Sequence, residues 1–260
     1  MPFSRAEFTA LFHVVRGFRN PLPLILDRLG QLSVPYTAVT RRALKIVLRP
    51  GTGDRFTAYE TFAAGAYDPA LRRLAPADVV VDVGANIGCF ALAAANIVGE
   101  AGKVIALEPE RSTYRQLTLN VRSNALTQVV TVNAAVSAHG KPLEIIASKD
   151  TLFTSSFKEV DGRPITGEIQ IVDSTTIGEL MRAHGLSTVS LLKLDCEGAE
   201  HEIVESLTPA LCAAIPTIAI EFHNVPGYAV SDTLARLEAL GYQHHPGQTH
   251  LFVRRPEAGN

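Results

Sequence analysis

After Pro76 the chain alternates short aliphatic runs with stretches whose apolar residues recur every three or four positions. The runs VVVDV (79–83), KVIAL (103–107), QVVTVN (128–133), VSLLKLD (189–195) and TIAIEF (217–222) are rich in Val, Ile and Leu and bounded by turn residues. That pattern predicts strands buried on both faces. Between them, residues 88–98, 111–124, 199–207 and 231–240 carry helical periodicity. Strands and helices in alternation predict an α/β, Rossmann-like fold: a mostly parallel sheet with helices on both faces, in three layers. HLFVRR (250–255) is expected as a last strand at a sheet edge. Ligands of such sheets bind beyond the carboxyl ends of the strands, which selects the loops after Val83, Leu107, Val132, Leu194 and Ile220.

Upstream the pattern is less regular. Residues 3–19 place Phe3, Phe8, Leu11, Phe12, Val15 and Phe18 near one stripe of a helix that ends before Asn20-Pro21, and PLPLILDRLGQL follows as a second short helix. This pair is expected as a lid or cap, with homodimerisation or partner docking through the same helices as the alternative. ALKIVL and RFTAYETF, joined by a turn at Pro50–Asp54, read as strand-like pieces. The expected organisation is a helical extension over residues 1–43 and one domain over 44–260. Residues 141–190 exceed a simple crossover, with a strand EIQIVD and a helix TTIGELMRAHG, and an insertion at the ligand end of a sheet suits substrate selection.

Composition narrows the function classes. The 260 residues are 47% hydrophobic and 19% charged, enough apolar material for one large core or two modest ones. Lys plus Arg number 24 against 26 Asp plus Glu, which argues against a general nucleic-acid binder. The three cysteines, Cys89, Cys196 and Cys212, are widely spaced and form no CxxC, so a disulfide framework or zinc knuckle is not expected and a reducing cytoplasm is. No signal-like segment and no run of about 18 apolar residues argues for secretion or membrane spanning.

The turn after the first sheet strand reads DVGANIG. A dinucleotide fingerprint places a glycine where the backbone meets the pyrophosphate, but here Asn86 stands between Gly84 and Gly88. A cofactor without phosphates tolerates that side chain. S-adenosyl-L-methionine (SAM) is one, and Asp82 with Asn86 are candidates for its amino-acid tail. Glu108 ends the second strand at about the 20-residue spacing from the glycine turn that suits a carboxylate accepting both ribose hydroxyls. Glu108 alone serves NAD as well as SAM; with Asn86 it favours SAM, and a dehydrogenase is the rival.

These segments resemble the FkbM family of SAM-dependent methyltransferases. DVVVDVGANIGCFALAAA is similar to the family's cofactor loop, and GKVIALEPERSTYRQLTLNV to its ribose-binding strand and helix. LLKLDCEGAEHEIVESL is similar to its Lys-x-Asp-x-Glu-Gly-x-Glu segment, and PTIAIEFHN to a strand ending in Glu-x-His. The resemblance runs from about Arg49 to Arg254. It implies a class I fold, a seven-stranded sheet with the last strand antiparallel, and O-methylation of a sugar or secondary-metabolite hydroxyl. By position it implies that Asp82, Gly84, Asn86 and Glu108 bind SAM, and that Lys193, Asp195, Glu197, Glu221 and His223 line the reaction side.

Methyl transfer from a sulfonium needs an aligned nucleophile, and a neutral hydroxyl needs a base, a metal ion or both. Asp195, Glu221 and His223 are candidate Mg²⁺ ligands, by analogy with metal-dependent catechol methyltransferases. For the base, His223 is the first choice, Glu197 the second and His201 the third. The plainer alternative is a structural Lys193–Glu197 ion pair with His223 bonded to a loop. His244, His245 and His250 are better explained by a turn at Pro246-Gly247 than by zinc, and the cysteines by small buried fillers. The expected acceptor is a small molecule or saccharide that meets residues 141–175, where Ser155 and Ser156 are available to hydroxyls. Glu197 and Glu200 around a cationic side chain would instead suit protein N-methylation, and a non-catalytic SAM-binding module is a third class.

Overall fold

A computed structural model describes residues 5–148, 154–247 and 249–254. Phe3 of the expected stripe and residues 149–153 of the insertion lie outside the described residues.

Seven strands form one sheet: β1 (Val79–Val83), β2 (Lys103–Leu107), β3 (Val129–Val132), β4 (Leu191–Leu194), β5 (Thr217–Ile220), β6 (Tyr242–His245) and β7 (His250–Arg254), in the order β6-β7-β5-β4-β1-β2-β3. The first five run parallel, with Val83 opposite Leu107 on one side and Leu194 on the other, and β7 runs antiparallel to both neighbours. Alternate residues feed two cores. Val80, Val104 and Leu191 pack beneath helix Cys89–Val98, while Val81, Ile105 and Leu192 meet helices Ile177–Ala183 and Glu200–Ser206. Burial of both faces is why these runs lack a polar stripe. No helix among the described residues is long and apolar enough to cross a membrane.

Two expectations are corrected. β7 is an interior strand, because it pairs with β5 on one side and β6 on the other, and Leu251 and Phe252 are buried on its two faces; the edge is β6, where Gln243 and His245 are exposed. RFTAYETF is helical: Asp54–Tyr59 is an α-helix that widens into a π-turn at Glu60–Ala64. The alternation in RFTAYETF had no sheet edge to join, and strand propensity yields to such context. Lys45–Leu48 pairs instead with Tyr36–Val39. Its other edge is met by side-chain amides of helix Arg111–Ser123 and the residue after it. Val47 donates to Asn120 Oδ1 at 2.8 Å and Lys45 to Asn124 Oδ1 at 2.8 Å, while Gln116 and Asn124 donate back to the carbonyls of Val47 and Lys45.

The N-terminal helices Arg5–Gly17 and Pro21–Arg28 join the same core through Phe18 and Leu24, while Phe12 and Val15 of the expected stripe are exposed. Segments 36–71 therefore lie against the face that carries the turn after β1. Asn120 completes that link by donating to Ile87 O at 2.9 Å.

Asn120 is fully buried, and its loss strands Val47 N–H and Ile87 C=O without partners. Asn120→Ala is expected to lower the unfolding free energy by about 1–3 kcal/mol, read by chemical denaturation.

Candidate active site

The turn after β1 is pressed against the end of β4. Gly84 has φ +73°, and a Cβ there would collide with the carbonyl oxygen of Asp195, so only glycine fits. The amides from Ala85 to Gly88 are engaged within the turn or with the end of β2. Ala85 N–H donates to Leu107 O, Asn86 N–H to Glu108 Oε2 at 3.0 Å, Ile87 N–H to Asn86 Oδ1 and Gly88 N–H to Ala85 O. Asn86 itself sits at φ +49°, a conformation asparagine tolerates better than most residues. Gly88 packs on Leu117.

Beside this turn lies a cavity of about 260 Å³. Its floor is the ends of β1, β2, β4 and β5, with Gly84, Asn86, Glu108, Asp195 and Glu221; Phe56, Glu60, Thr61 and Tyr67 form one wall, and Ser155, Ser156 and Asp161 another. Asp82 and Gly88, both expected at the cofactor, lie outside its lining.

Asp82 is fully buried and faces Lys193. Lys193 Nζ lies 3.1 Å from Asp82 Oδ1 and 3.2 Å from Asp195 Oδ2, and donates to Gly84 O at 2.8 Å. Burial opposes its charge, but Asp195 and Asp82 outweigh burial and hold the ammonium above its ordinary range. Lys193 therefore ties β1 to β4, and the alternative Lys193–Glu197 pair does not form among the described residues.

Tyr67, which no local pattern in the sequence singled out, donates to Asp195 Oδ2 at 2.6 Å and lies 3.1 Å from Glu221 Oε2. Burial alone would raise Asp195, but Lys193 holds it below the ordinary carboxylate range; Glu221 is raised by burial and by Asp195. Glu60 rises to about 8 through burial and the charges of Glu221 and Asp195. Glu108 rises to about 7, because burial outweighs the amides of Glu110 and Asn86.

His223 and Glu197 form the rest of the floor. Burial would lower His223, yet a hydrogen bond from Nδ1 to Glu200 Oε1 (3.1 Å) and the charges of Glu197 and Glu200 push it up to about 10. Its Nε2 lies 3.7 Å from Glu197 Oε2. His223 thus rests as an imidazolium at neutral pH, the charge state of a donor and not of a base. Glu197 is pushed up to about 8 by burial against the pull of His223, with Asp195 adding to the rise. His201 is held by Thr233 and the carbonyl of His223, away from the cavity.

Asp195, Glu197 and His223 bring one ligand atom each within 4.8 Å of one another; Glu221, expected in that set, is with Tyr67 instead. His244 and His250 stack on each other and share a 2.9 Å contact between ring nitrogens, and belong to no three-residue ligand cluster among the described residues.

The model of the methyltransferase FkbM domain matches residues 82–244. The 31-O-demethyl-FK506 methyltransferase FkbM of Streptomyces tacrolimicus is 28% identical over 205 residues, covering 69% of this chain and 78% of that protein. Methyltransferase 1 of Beauveria bassiana is 26% identical over 195 residues, covering 68% of this chain and 74% of that one. Among solved structures, a methyltransferase FkbM from Methylobacillus flagellatus aligns over 69% of this chain with a TM-score of 0.46 and 17% identity; the match spans 44% of that protein's length.

Removing the buried ammonium leaves Asp82 without its counter-charge. Lys193→Met is expected to cost about 3–5 kcal/mol of stability in denaturant unfolding, and a second change, Asp82→Asn, to recover part of it.

Proposed function

The chain belongs to the FkbM methyltransferase family and is a SAM-dependent methyltransferase, and from that premise we propose that it methylates a hydroxyl of a carbohydrate or secondary metabolite. The observation that carries this reading is the group Asp195, Glu197, Glu221 and His223 facing one cavity from the ends of β4 and β5. A hydroxyl seated there meets both a proton acceptor and hydrogen-bond partners that set its angle of attack.

In this reading Glu108 receives the ribose hydroxyls of SAM on its remaining lone pairs, while Gly84 and Asn86 line the amino-acid tail. Asp82 and Gly88 act at one remove, through Lys193 and through packing on Leu117. SAM supplies the methyl group as an electrophile on sulfur. We assign the base to Glu197 in place of His223: its ionised form, whose share grows as pH rises toward about 8, takes the hydroxyl proton, and His223, fixed by Glu200, steadies its charge. Ser156, exposed on the cavity lining, is available to a further hydroxyl of the acceptor, whereas Ser155 is committed to Glu197 O and the N–H of Phe157.

Asp195, Glu197 and His223 are the residues that would hold Mg²⁺, which when bound supplies Lewis acidity at the acceptor oxygen. Glu200 on Nδ1 leaves Nε2 of His223 turned toward that group, and metal binding there would require the imidazolium to give up its Nε2 proton. The excess of carboxylates also favours, as a second reading, an amine acceptor.

The test is a screen of saccharides, hydroxylated metabolites and amines with SAM, read by the mass gain of one methyl group. Methylated amines with no methylated hydroxyl would move the assignment to the second reading. With the acceptor in hand, Glu197→Gln is expected to lower kcat by about 10²–10⁴-fold while S-adenosylhomocysteine affinity stays within about twofold. Chelation separates the two modes of activation: a loss restored by Mg²⁺ assigns the group to a cation, and an unchanged rate assigns proton removal to Glu197 alone.

Glu108 accepts both ribose hydroxyls best when ionised, because protonation turns one of its oxygens into a donor. S-adenosylhomocysteine affinity is therefore expected to weaken as pH falls through about 7, by at most about tenfold per unit, and Glu108→Gln to flatten that dependence in calorimetry.

A further inference from the structure

Glu60 is a carboxylate for which the mechanism above has no task. It opens the π-turn Glu60–Ala64, is half-buried, and lines the same cavity as Gly84, Asn86 and Phe90. Among the described residues no hydrogen bond or ion pair reaches its side chain. The charges that act on it most strongly are Glu221 and Asp195, both of its own sign. The two cations that act on it are both held elsewhere, Lys193 by Gly84 O, Asp82 and Asp195 and His223 by Glu200 and Glu197. A half-buried carboxylate without a donor, set among like charges, is costly unless a cation joins it.

SAM brings two positive groups, and only one of them can hydrogen-bond. The sulfonium carries no N–H, whereas the α-ammonium has three. The tail of the cofactor is read at the turn after β1, where an ammonium needs acceptors, but Gly84 O already receives Lys193, Ala85 O the N–H of Gly88, Asn86 Oδ1 the N–H of Ile87 and Ile87 O the amide of Asn120, and Asp82 is sealed behind Lys193. Partners for the tail must therefore come from outside the turn. The segment that supplies a wall of the same cavity is 56–67, and its one carboxylate there is Glu60.

We infer that Glu60 receives the α-ammonium of SAM, so that the segment preceding the first sheet strand completes the cofactor pocket. This rests on the reading of the cavity as a SAM site. It makes the π-turn functional: widening the helix by one residue at Glu60 sets this side chain, with Thr57 and Thr61, along the cavity wall.

The test uses the full chain, S-adenosylhomocysteine and its analogue lacking only the amino group, titrated by calorimetry. The unaltered protein is expected to prefer S-adenosylhomocysteine by about tenfold or more. Glu60→Gln is expected to weaken S-adenosylhomocysteine about tenfold and the desamino analogue less than about twofold, so that the preference disappears. Glu60→Asp, which keeps the charge, is expected to retain part of it. A preference that survives Glu60→Gln overturns the inference, as does an equal loss for both ligands or an effect confined to the KM of the acceptor. Failure of the unaltered protein to bind S-adenosylhomocysteine overturns the cofactor site itself, and this inference with it.

Discussion

A buried ammonium between two carboxylates sets the spacing of β1 and β4 at the point where the cavity opens. Lys193 reaches Asp82 on one strand, Asp195 on its own, and the carbonyl of Gly84 between them. All three partners are needed to keep a fully charged amine in the interior. The consequence travels outward: Asp195 stays ionised, Gly84 lies flat against its carbonyl, and the turn that follows has the shape in which Asn86 N–H meets Glu108. The cavity lining at Glu108 and the lining at Asp195 are thus linked through one ion-pair arrangement.

The upstream segments complete what that arrangement begins. Tyr67 reaches both Asp195 and Glu221 with one hydroxyl, joining carboxylates that would otherwise repel across adjacent strand ends. Its ring lies edge-on to Phe90, in the helix after the turn that follows β1. Asn120 ties the hairpin before β1 to the same turn. Residues 36–71 therefore serve as a wall of the cavity as well as a cover for one core. The match to the family model begins at residue 82, downstream of this wall.

Much of the fold was legible because its signals are local. The aliphatic runs at 79–83, 103–107 and 191–194 are short, flanked by turns and buried on both faces, a pattern that neighbouring residues declare by themselves. RFTAYETF shows where that reading fails. Its strand-like alternation was real, but the edge it would have joined was already met by Asn120, Asn124 and Gln116 from a distant helix. β7 failed in a milder way, since the alternation of Leu251 and Phe252 does not say on which side of β6 the strand will lie.

By itself, the sequence determined the order of the sheet strands and of the helices between them from Val79 onward, and the family. These rest on residue types at fixed short spacings, where backbone geometry and cofactor chemistry permit few substitutes. Tertiary structure alone decided that Lys193 pairs with Asp82 and not with Glu197, that His223 is held charged between Glu197 and Glu200, and that Glu60 and Tyr67 face the cavity. Tyr67 and Asp195 are separated by 128 positions. Charges and hydroxyls act through space, and their energies depend on burial and on which partners remain unmatched. No local pattern of residues encodes either.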